Sequence, residues 1–137
     1  MRILIVDDHT RARRFIREMI APLAFEVFEA SDGLESVEIC SRLKPDYVTM
    51  DLFMDGIDGL EATRRIRANR PGTKIIVVSA NGDPELKESA ERAGACLFVA
   101  KSDLTELLRY LEAAACLRSK GAGRDTEPGN SSRYFHV

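Results

Sequence analysis

The chain has 137 residues, of which 45% are hydrophobic and 31% are charged, and its formal net charge is -2. This length suits one domain with a core of its own, and the composition is typical of a folded globular protein rather than a disordered one. Because the small negative charge gives no general attraction to nucleic acid or to an anionic membrane, we predict no direct nucleic-acid binding and no membrane association.

The sequence also lacks signals for export. No apolar run approaches the roughly 20 residues that span a bilayer, and the amino terminus has no signal-peptide pattern. Cys40, Cys96 and Cys116 are odd in number and far apart, without the spacing of a metal site, so we interpret them as reduced packing residues. A cytoplasmic location is therefore expected.

The first part of the chain alternates between a strand pattern and a helical period. A strand is predicted over residues 2–7. The inward stripe of the helix that follows is predicted to be Ala12, Phe15, Ile16, Met19 and Leu23. The arginines of this helix lie mostly off the stripe, and we interpret them as a solvated face rather than a partner-facing or nucleic-acid patch. A second strand over 25–30 precedes a helix whose apolar positions run from Leu34 to Leu43.

The third strand, over residues 47–52, carries Asp51 near its end. Proline before it and glycines after it favour a short buried strand that leads into a loop. Asp58 is the predicted N-cap of the third helix, because its side chain can accept a hydrogen bond from the first turn. The inward face of that helix is predicted to be Leu60, Thr63 and Ile66.

The last two strands end on polar residues as well. The fourth strand, over 74–79, is almost wholly apolar and ends on a hydroxyl. Its helix is predicted to begin near Pro84 and to stop at Gly94. A fifth strand over 96–100 leads to Lys101. The fifth helix is predicted to begin with the capping pair Asp103 and Glu106 and to carry the stripe Leu104, Leu107, Leu108, Leu111 and Ala115.

Five strand and helix units in alternation predict an α/β fold, with a five-stranded parallel sheet and helices on both of its faces. Polar residues lie at the carboxyl ends of four strands, where such sheets bind ligands. They are Asp7, Asp8, Asp51, Ser79 and Lys101. Three converging carboxylates repel one another unless a cation lies among them, and oxygen ligands suit Mg2+. The residues therefore predict a magnesium site with one reactive aspartate.

At this point the chain resembles the receiver domain of bacterial two-component response regulators, over about residues 1 to 117. The matching pieces of sequence are Ile5-Val6-Asp7-Asp8, Met50-Asp51-Leu52 followed by Asp58-Gly59, Val78-Ser79-Ala80, and Gly94-Ala95 through Phe98 to Lys101. The resemblance implies a flavodoxin-like doubly wound sheet in the order 2-1-3-4-5. It also implies a signalling protein that takes part in its own phosphorylation and dephosphorylation, rather than an enzyme acting on other substrates.

The resemblance assigns chemical roles to the strand ends. Asp51 is implied to accept a phosphoryl group from a histidine kinase or a histidine phosphotransfer protein. Asp8 is implied to bind Mg2+ directly and Asp7 largely through water, with the main-chain carbonyl of Phe53 as a further ligand. The ammonium of Lys101 would neutralise charge on the transferring phosphoryl group.

The same resemblance implies how a signal leaves the site. Ser79 would hydrogen-bond a phosphoryl oxygen, and the ring of Phe98 would turn inward with it. The surface built from helix 4, strand 5 and helix 5 would then bind a downstream protein, and a second copy of the chain is a further candidate partner.

Two positions depart from the family pattern. Asp55-Gly56 stands in the loop where the family usually has proline, which adds a charge and flexibility beside the site. Ser102 stands where the family commonly has a proline joined to the lysine by a cis peptide. Because a cis bond before a non-proline residue costs about 3–4 kcal/mol, we expect the Lys101–Ser102 peptide to be trans.

Residues 1–118 are therefore predicted to form the receiver domain, and residues 119–137 a disordered tail too short for a DNA-binding domain. The main alternative is the receiver fragment of a longer DNA-binding transcriptional regulator. A phosphohydrolase of the haloacid dehalogenase type would need a second acid where Phe53 stands. A flavodoxin-like electron carrier would need a phosphate loop where Asp8 would repel the phosphate of FMN.

Overall fold

The computed structural model describes residues 1–24 and 26–120. Within them, strands and helices alternate as β1 (Arg2–Val6), α1 (Thr10–Ile20), β2 (Glu26–Ala30), α2 (Gly33–Leu43), β3 (Tyr47–Met50), α3 (Gly59–Asn69), β4 (Lys74–Ser79), α4 (Pro84–Ala93), β5 (Leu97–Ala100) and α5 (Thr105–Lys120). The bounds follow the predicted ones closely, with β3 ending one residue before Asp51 and β5 beginning at Leu97.

The five strands form one parallel sheet in the order β2-β1-β3-β4-β5, which confirms the predicted fold class and strand order. The register pairs Val6 of β1 with Met50 of β3 at the centre of the sheet, and Ser79 of β4 with Ala100 of the outer strand β5. Because all strands run in one direction, their carboxyl ends meet along one edge.

Helices cover both faces of the sheet. On one face, Ile16 and Ile20 of α1 and Leu107 and Leu111 of α5 pack with strand residues into one core cluster. On the other, α2 and α3 share a second cluster, and α4 contributes Ala90 to a third. The strands are buried from both sides, which is why they read as continuous apolar runs in the sequence.

The predicted helix ends are largely confirmed. The Asp58 carboxylate accepts a hydrogen bond from the Glu61 main-chain N–H at the start of α3. Pro84 lies in the first turn of α4, and Gly94 ends that helix with φ of 110°, a left-handed conformation that glycine adopts at little cost. Asp103 accepts from the Thr105 N–H before α5.

Two predicted core residues are instead exposed. Phe15 is 56% exposed and Leu34 is 57% exposed. With about 100° of rotation per residue, Phe15 lies roughly 100° around α1 from the buried Ile16, at the edge of the stripe. Leu34 lies on the side of α2 opposite Ile39 and Cys40, which are buried.

The end of α5 and the predicted tail overlap. The helix continues to Lys120, two residues beyond the predicted domain boundary, and residues 121–137 of the predicted tail lie outside the described residues. No cis peptide bond occurs in the described ranges, so the Lys101–Ser102 peptide is trans as expected. None of the helices described is long and apolar enough to cross a membrane.

Candidate functional site

Main-chain hydrogen bonds place the polar strand-end residues side by side. Three N–H groups just past the strands each donate to a carbonyl at the end of a neighbouring strand: Asp7 to Ala30 (3.2 Å), Asp51 to Val6 (3.0 Å) and Lys101 to Ser79 (2.8 Å). The backbone of each site residue is therefore held by the sheet itself rather than by a free loop. A site supported in this way keeps its geometry when a ligand arrives.

Two buried carboxylates share one ammonium group at this edge. Lys101 Nζ lies 2.7 Å from Asp7 Oδ2 and 3.4 Å from Asp51 Oδ1. Asp7 is 1% exposed and Asp51 is 4% exposed, whereas Asp8 is exposed beside them. Three carboxylates against one ammonium leave two formal negative charges without a compensating cation.

The protonation equilibria reflect this crowding. Burial raises the pKa of Asp51 above its ordinary value, and the neighbouring charge of Asp7 raises it further, while Lys101 acts in the opposite direction. For Lys101, burial alone would lower the pKa, but its hydrogen bond to Asp7 and its attraction to Asp51 together raise it. Lys101 therefore remains charged at neutral pH, and ionising Asp51 costs more in this pocket than it does in water.

The donor set fits a divalent cation. One ligand atom from each of Asp7, Asp8, His9 and Asp51 lies within 4.8 Å of all the others. A cleft of about 330 Å³ opens beside them and is lined by Asp8, Leu52, Phe53, Met54, Asp55 and Asp58. Carboxylate oxygens and a net charge of two suit Mg2+, which keeps several waters and usually takes only one or two carboxylates from a protein.

The loop after Asp51 is folded tightly against the end of β3. A Cβ atom on Gly59 would lie only 2.1 Å from the carbonyl oxygen of Asp51, so only glycine fits at this position. The Gly59 N–H donates to the carbonyl of Leu52 at 3.0 Å. The Phe53 N–H donates a hydrogen bond to the Asp51 carboxylate. Phe53 itself is 56% exposed and lines the cleft.

Sequence reasoning missed two residues of the site. His9, whose side chain we did not assign to the site, has its Nδ1 atom 3.2 Å from Asp7 and 2.9 Å from Asp8. Arg13, interpreted as a solvated residue, donates to the carbonyl oxygen of Asp7 at 2.6 Å and pairs with Glu29 at 3.0 Å. The position of His9 directly after two aspartates was the available signal. No such signal existed for Arg13 of α1, because its partner Glu29 lies on β2, 16 residues further along the chain.

Ser79 and Phe98 lie behind the acidic group. The Ser79 side chain is fully buried, and its Oγ accepts a hydrogen bond from the Asn81 N–H at 3.1 Å. Phe98 is 7% exposed, and it packs in the same cluster as Leu52 and the α4 residue Ala90. Leu52, which directly follows Asp51, is thus part of one apolar cluster with Phe98 and with Ala90 of α4.

A family model for the response regulator receiver domain matches residues 3–112 of the chain. The chain belongs to this family. Receiver domains also account for its similarity to individual proteins. It is 39% identical over 117 residues to a chemotaxis protein CheY of Listeria monocytogenes, an alignment that covers 84% of this chain and 98% of the relative.

Other relatives are longer proteins. The chain is 44% identical over 105 residues to a protein-glutamate methylesterase/protein-glutamine glutaminase of Myxococcus xanthus, covering 74% of this chain but 30% of that one. It is 37% identical over 131 residues to the transcriptional regulatory protein LiaR of Bacillus subtilis, covering 90% of this chain and 62% of that one. The chain therefore spans less than two thirds of the length of each of these two relatives.

A solved structure agrees with the assignment. The crystal structure of a LuxR-family two-component response regulator from Aurantimonas superposes with a TM-score of 0.76 at 34% sequence identity, covering 84% of each chain. The receiver fold and membership of the receiver family are thus established for this chain.

Proposed function

We propose that Asp51 accepts a phosphoryl group from a histidine kinase or a histidine phosphotransfer protein, with Mg2+ bound beside it. The observation that carries this proposal is the buried Asp51 carboxylate, which shares the ammonium of Lys101 with Asp7 in a pocket that lacks two positive charges. Such a pocket favours the binding of a divalent cation, and that cation together with Lys101 can then offset the negative charge of a transferring phosphoryl group.

The transfer follows from the residues present. An Asp51 carboxylate oxygen attacks the phosphorus of the donor, and the bond between phosphorus and the donor's imidazole nitrogen breaks with its electron pair remaining on that nitrogen. An acyl phosphate results. Lys101, held by Asp7, lies within 3.4 Å of Asp51 and can meet the charge that spreads over the phosphoryl oxygens.

The metal would be held by Asp8, by Asp51, by Asp7 largely through water, and by the main-chain carbonyl of Phe53. When bound, Mg2+ supplies the positive charge that shields the nucleophile from the incoming phosphoryl group. The carboxylates of Asp7, Asp8 and Asp51 support this assignment, because one oxygen from each lies within 4.8 Å of the other two. Asp55 at the mouth of the adjoining cleft adds a negative charge that draws cations toward the site.

Phosphorylation is proposed to reach the output surface through Ser79, Leu52 and Phe98. The Ser79 Oγ atom accepts a hydrogen bond from the Asn81 N–H, and its own O–H would donate to a phosphoryl oxygen on Asp51. Leu52 follows Asp51 directly and packs in one cluster with Phe98 and with Ala90 of α4. A small movement at the site can therefore change the face formed by α4, β5 and α5, where a downstream protein or a second copy of the chain would bind.

The acceptor assignment is tested by incubating the chain with acetyl phosphate or phosphoramidate and Mg2+, and then measuring the intact mass. We expect one acid-labile phosphate per chain in the wild type and none in Asp51→Asn. A phosphate that persists in the variant, or wild-type protein that stays unmodified with both donors, would contradict the assignment of Asp51.

The output route is tested by Phe98→Ala, with Phe28→Ala as a matched ring deletion on β2, away from the α4 cluster. We expect Phe98→Ala to take up phosphate normally, because the ring contributes no reacting group. It should reduce the change in α4 amide chemical shifts on beryllofluoride binding by more than half, since coupling energies of about 1–3 kcal/mol are typical. Normal α4 shifts in this variant, or an equal loss in Phe28→Ala, would show that the signal takes another route.

A second candidate is the receiver part of a longer transcriptional regulator. The similarity to LiaR favours it, because the aligned residues cover only 62% of that protein. The mass of the protein expressed from its own genomic locus distinguishes the two candidates. The chemistry proposed for Asp51 is the same in both.

A further inference from the structure

The ring of His9 is directed toward the carboxylates of the cation site instead of the helix that it precedes. Its Nδ1 atom lies 2.9 Å from Asp8 Oδ1 and 3.2 Å from Asp7 Oδ1. His9 is the N-cap residue of α1, a position where Ser, Thr, Asp or Asn usually accepts a hydrogen bond from the helix, yet its side chain makes no capping bond. A residue that leaves a local rule unmet is a candidate for a functional role.

The distances around Nδ1 match those between neighbouring ligands of one metal ion. Two ligands at right angles on an ion with bonds of about 2.1 Å lie about 3.0 Å apart. Nδ1 has this spacing from an oxygen of Asp8, the carboxylate proposed to bind the ion directly, and the Asp51 carboxylate lies within the same 4.8 Å group. The His9 side chain is 71% exposed, so the ring can adjust to an ion without disturbing the core.

We propose that His9 Nδ1 is a ligand of the divalent cation held by Asp7, Asp8 and Asp51, so that this receiver binds nitrogen-preferring ions such as Ni2+ as well as Mg2+. The inference rests on the cation site of the proposed function and adds one donor to it. Carboxylates, carbonyls and water suit Mg2+, whereas imidazole suits ions of the later first transition row. The ligand is the neutral ring, with its remaining proton on Nε2.

The contribution of His9 is measured as a change in metal preference. Mg2+ and Ni2+ affinities are determined by calorimetry for the parent chain and for His9→Ala, with Thr10→Ala as a neighbouring exposed control. All three carry His136→Ala, because His136 is the other histidine of the chain. We expect His9→Ala to weaken Ni2+ binding about tenfold or more and Mg2+ binding less than about threefold, with both unchanged in Thr10→Ala.

Pulsed electron paramagnetic resonance with Cu2+, a paramagnetic ion that imidazole suits, gives a direct test of the bond. A directly bound imidazole produces nitrogen modulation, which we expect in the parent chain and not in His9→Ala. Cu2+ binding without nitrogen modulation from His9, or an equal loss of Ni2+ and Mg2+ affinity in His9→Ala, would overturn the assignment and leave His9 as a hydrogen-bond partner of the two aspartates. If no divalent ion bound to any variant, the cation site of the proposed function would itself fail.

Discussion

The amino edge of the sheet, where the parallel strands begin, and the carboxyl edge, where they end, carry similar polar residues. The two differ in how their charges are paired. At the amino edge, Asp46 accepts a hydrogen bond from the Arg2 main-chain N–H at 2.8 Å and pairs with Arg118 at 3.2 Å. The Arg2 side chain pairs with Glu26 at 3.1 Å. Two carboxylates are matched there by two guanidinium groups.

The carboxyl edge has no such balance. Its two buried carboxylates, Asp7 and Asp51, compete for the one ammonium of Lys101, and Asp8 adds a third negative charge. Among the described residues, no other arginine or lysine forms an ion pair with these carboxylates, since Arg13 contacts only the main-chain carbonyl of Asp7 and pairs with Glu29. Paired charges stabilise the amino edge, whereas the unpaired negative charge at the carboxyl edge attracts a cation, which together with Lys101 can then receive a phosphoryl group.

Of the substitutions that test this difference between the two edges, Asp8→Ala is expected to have the largest effect, on Mg2+ affinity at the carboxyl edge. Because the change removes a charged ligand, it should weaken Mg2+ binding at least about tenfold, while Thr10→Ala leaves it unchanged. Isothermal titration of both variants with Mg2+ measures the difference. Equal affinities would mean that the acidic residues of the carboxyl edge do not form the cation site.

A smaller effect is expected at the amino edge from Asp46→Ala. The substitution leaves the Arg2 N–H and the Arg118 side chain without their acceptor, which should lower the free energy of unfolding by about 1 kcal/mol. Urea unfolding measures this change. Mg2+ affinity and phosphate uptake should stay at the wild-type level, and a loss of either would show that the two edges are not independent.

The sequence predicted the carboxyl edge better than the amino edge for a physical reason. Parallel strands bring their carboxyl ends together whatever the loops do, so Asp7, Asp51 and Lys101 could be placed from strand pattern alone. The contacts of Asp46 with the Arg2 main-chain N–H and with Arg118, by contrast, depend on how a helix ends and where a loop turns. The resemblance to receiver domains supplied the strand order and the residue roles.

The direction of individual side chains on and beside the helices could not be predicted from the sequence. Phe15 and Leu34 were assigned to the core because each is apolar and near the right spacing, but their exposure follows from the rotational phase of α1 and α2 against the sheet. His9 was not assigned to the site, since nothing in the strand pattern distinguishes its side chain from those of the loop around it. Its contact with Asp7 and Asp8 depends on the direction of one side chain.

The last prediction uses Asp51→Asn as a stability measurement without metal. Burial and the charge of Asp7 raise the pKa of Asp51 in the folded chain above the ordinary 3.8. A carboxyl whose folded pKa is raised favours the folded state at low pH, and this contribution is lost as the pH rises through the folded pKa. At neutral pH in EDTA, the ionised Asp51 therefore destabilises the fold, and the neutral amide introduced by Asp51→Asn relieves that cost.

We expect the Tm of Asp51→Asn at pH 7 in EDTA to exceed that of the wild type, on the order of a few degrees. The difference should shrink as the pH falls toward 3.8, where Asp51 takes up its proton in both the folded and the unfolded chain. Saturating Mg2+ should reverse the order at pH 7, because the wild type gains binding free energy that the variant has lost in part. Calorimetric scans with and without Mg2+ measure all three effects, and a variant less stable than the wild type in EDTA would mean that the charge on Asp51 is already balanced in the metal-free fold.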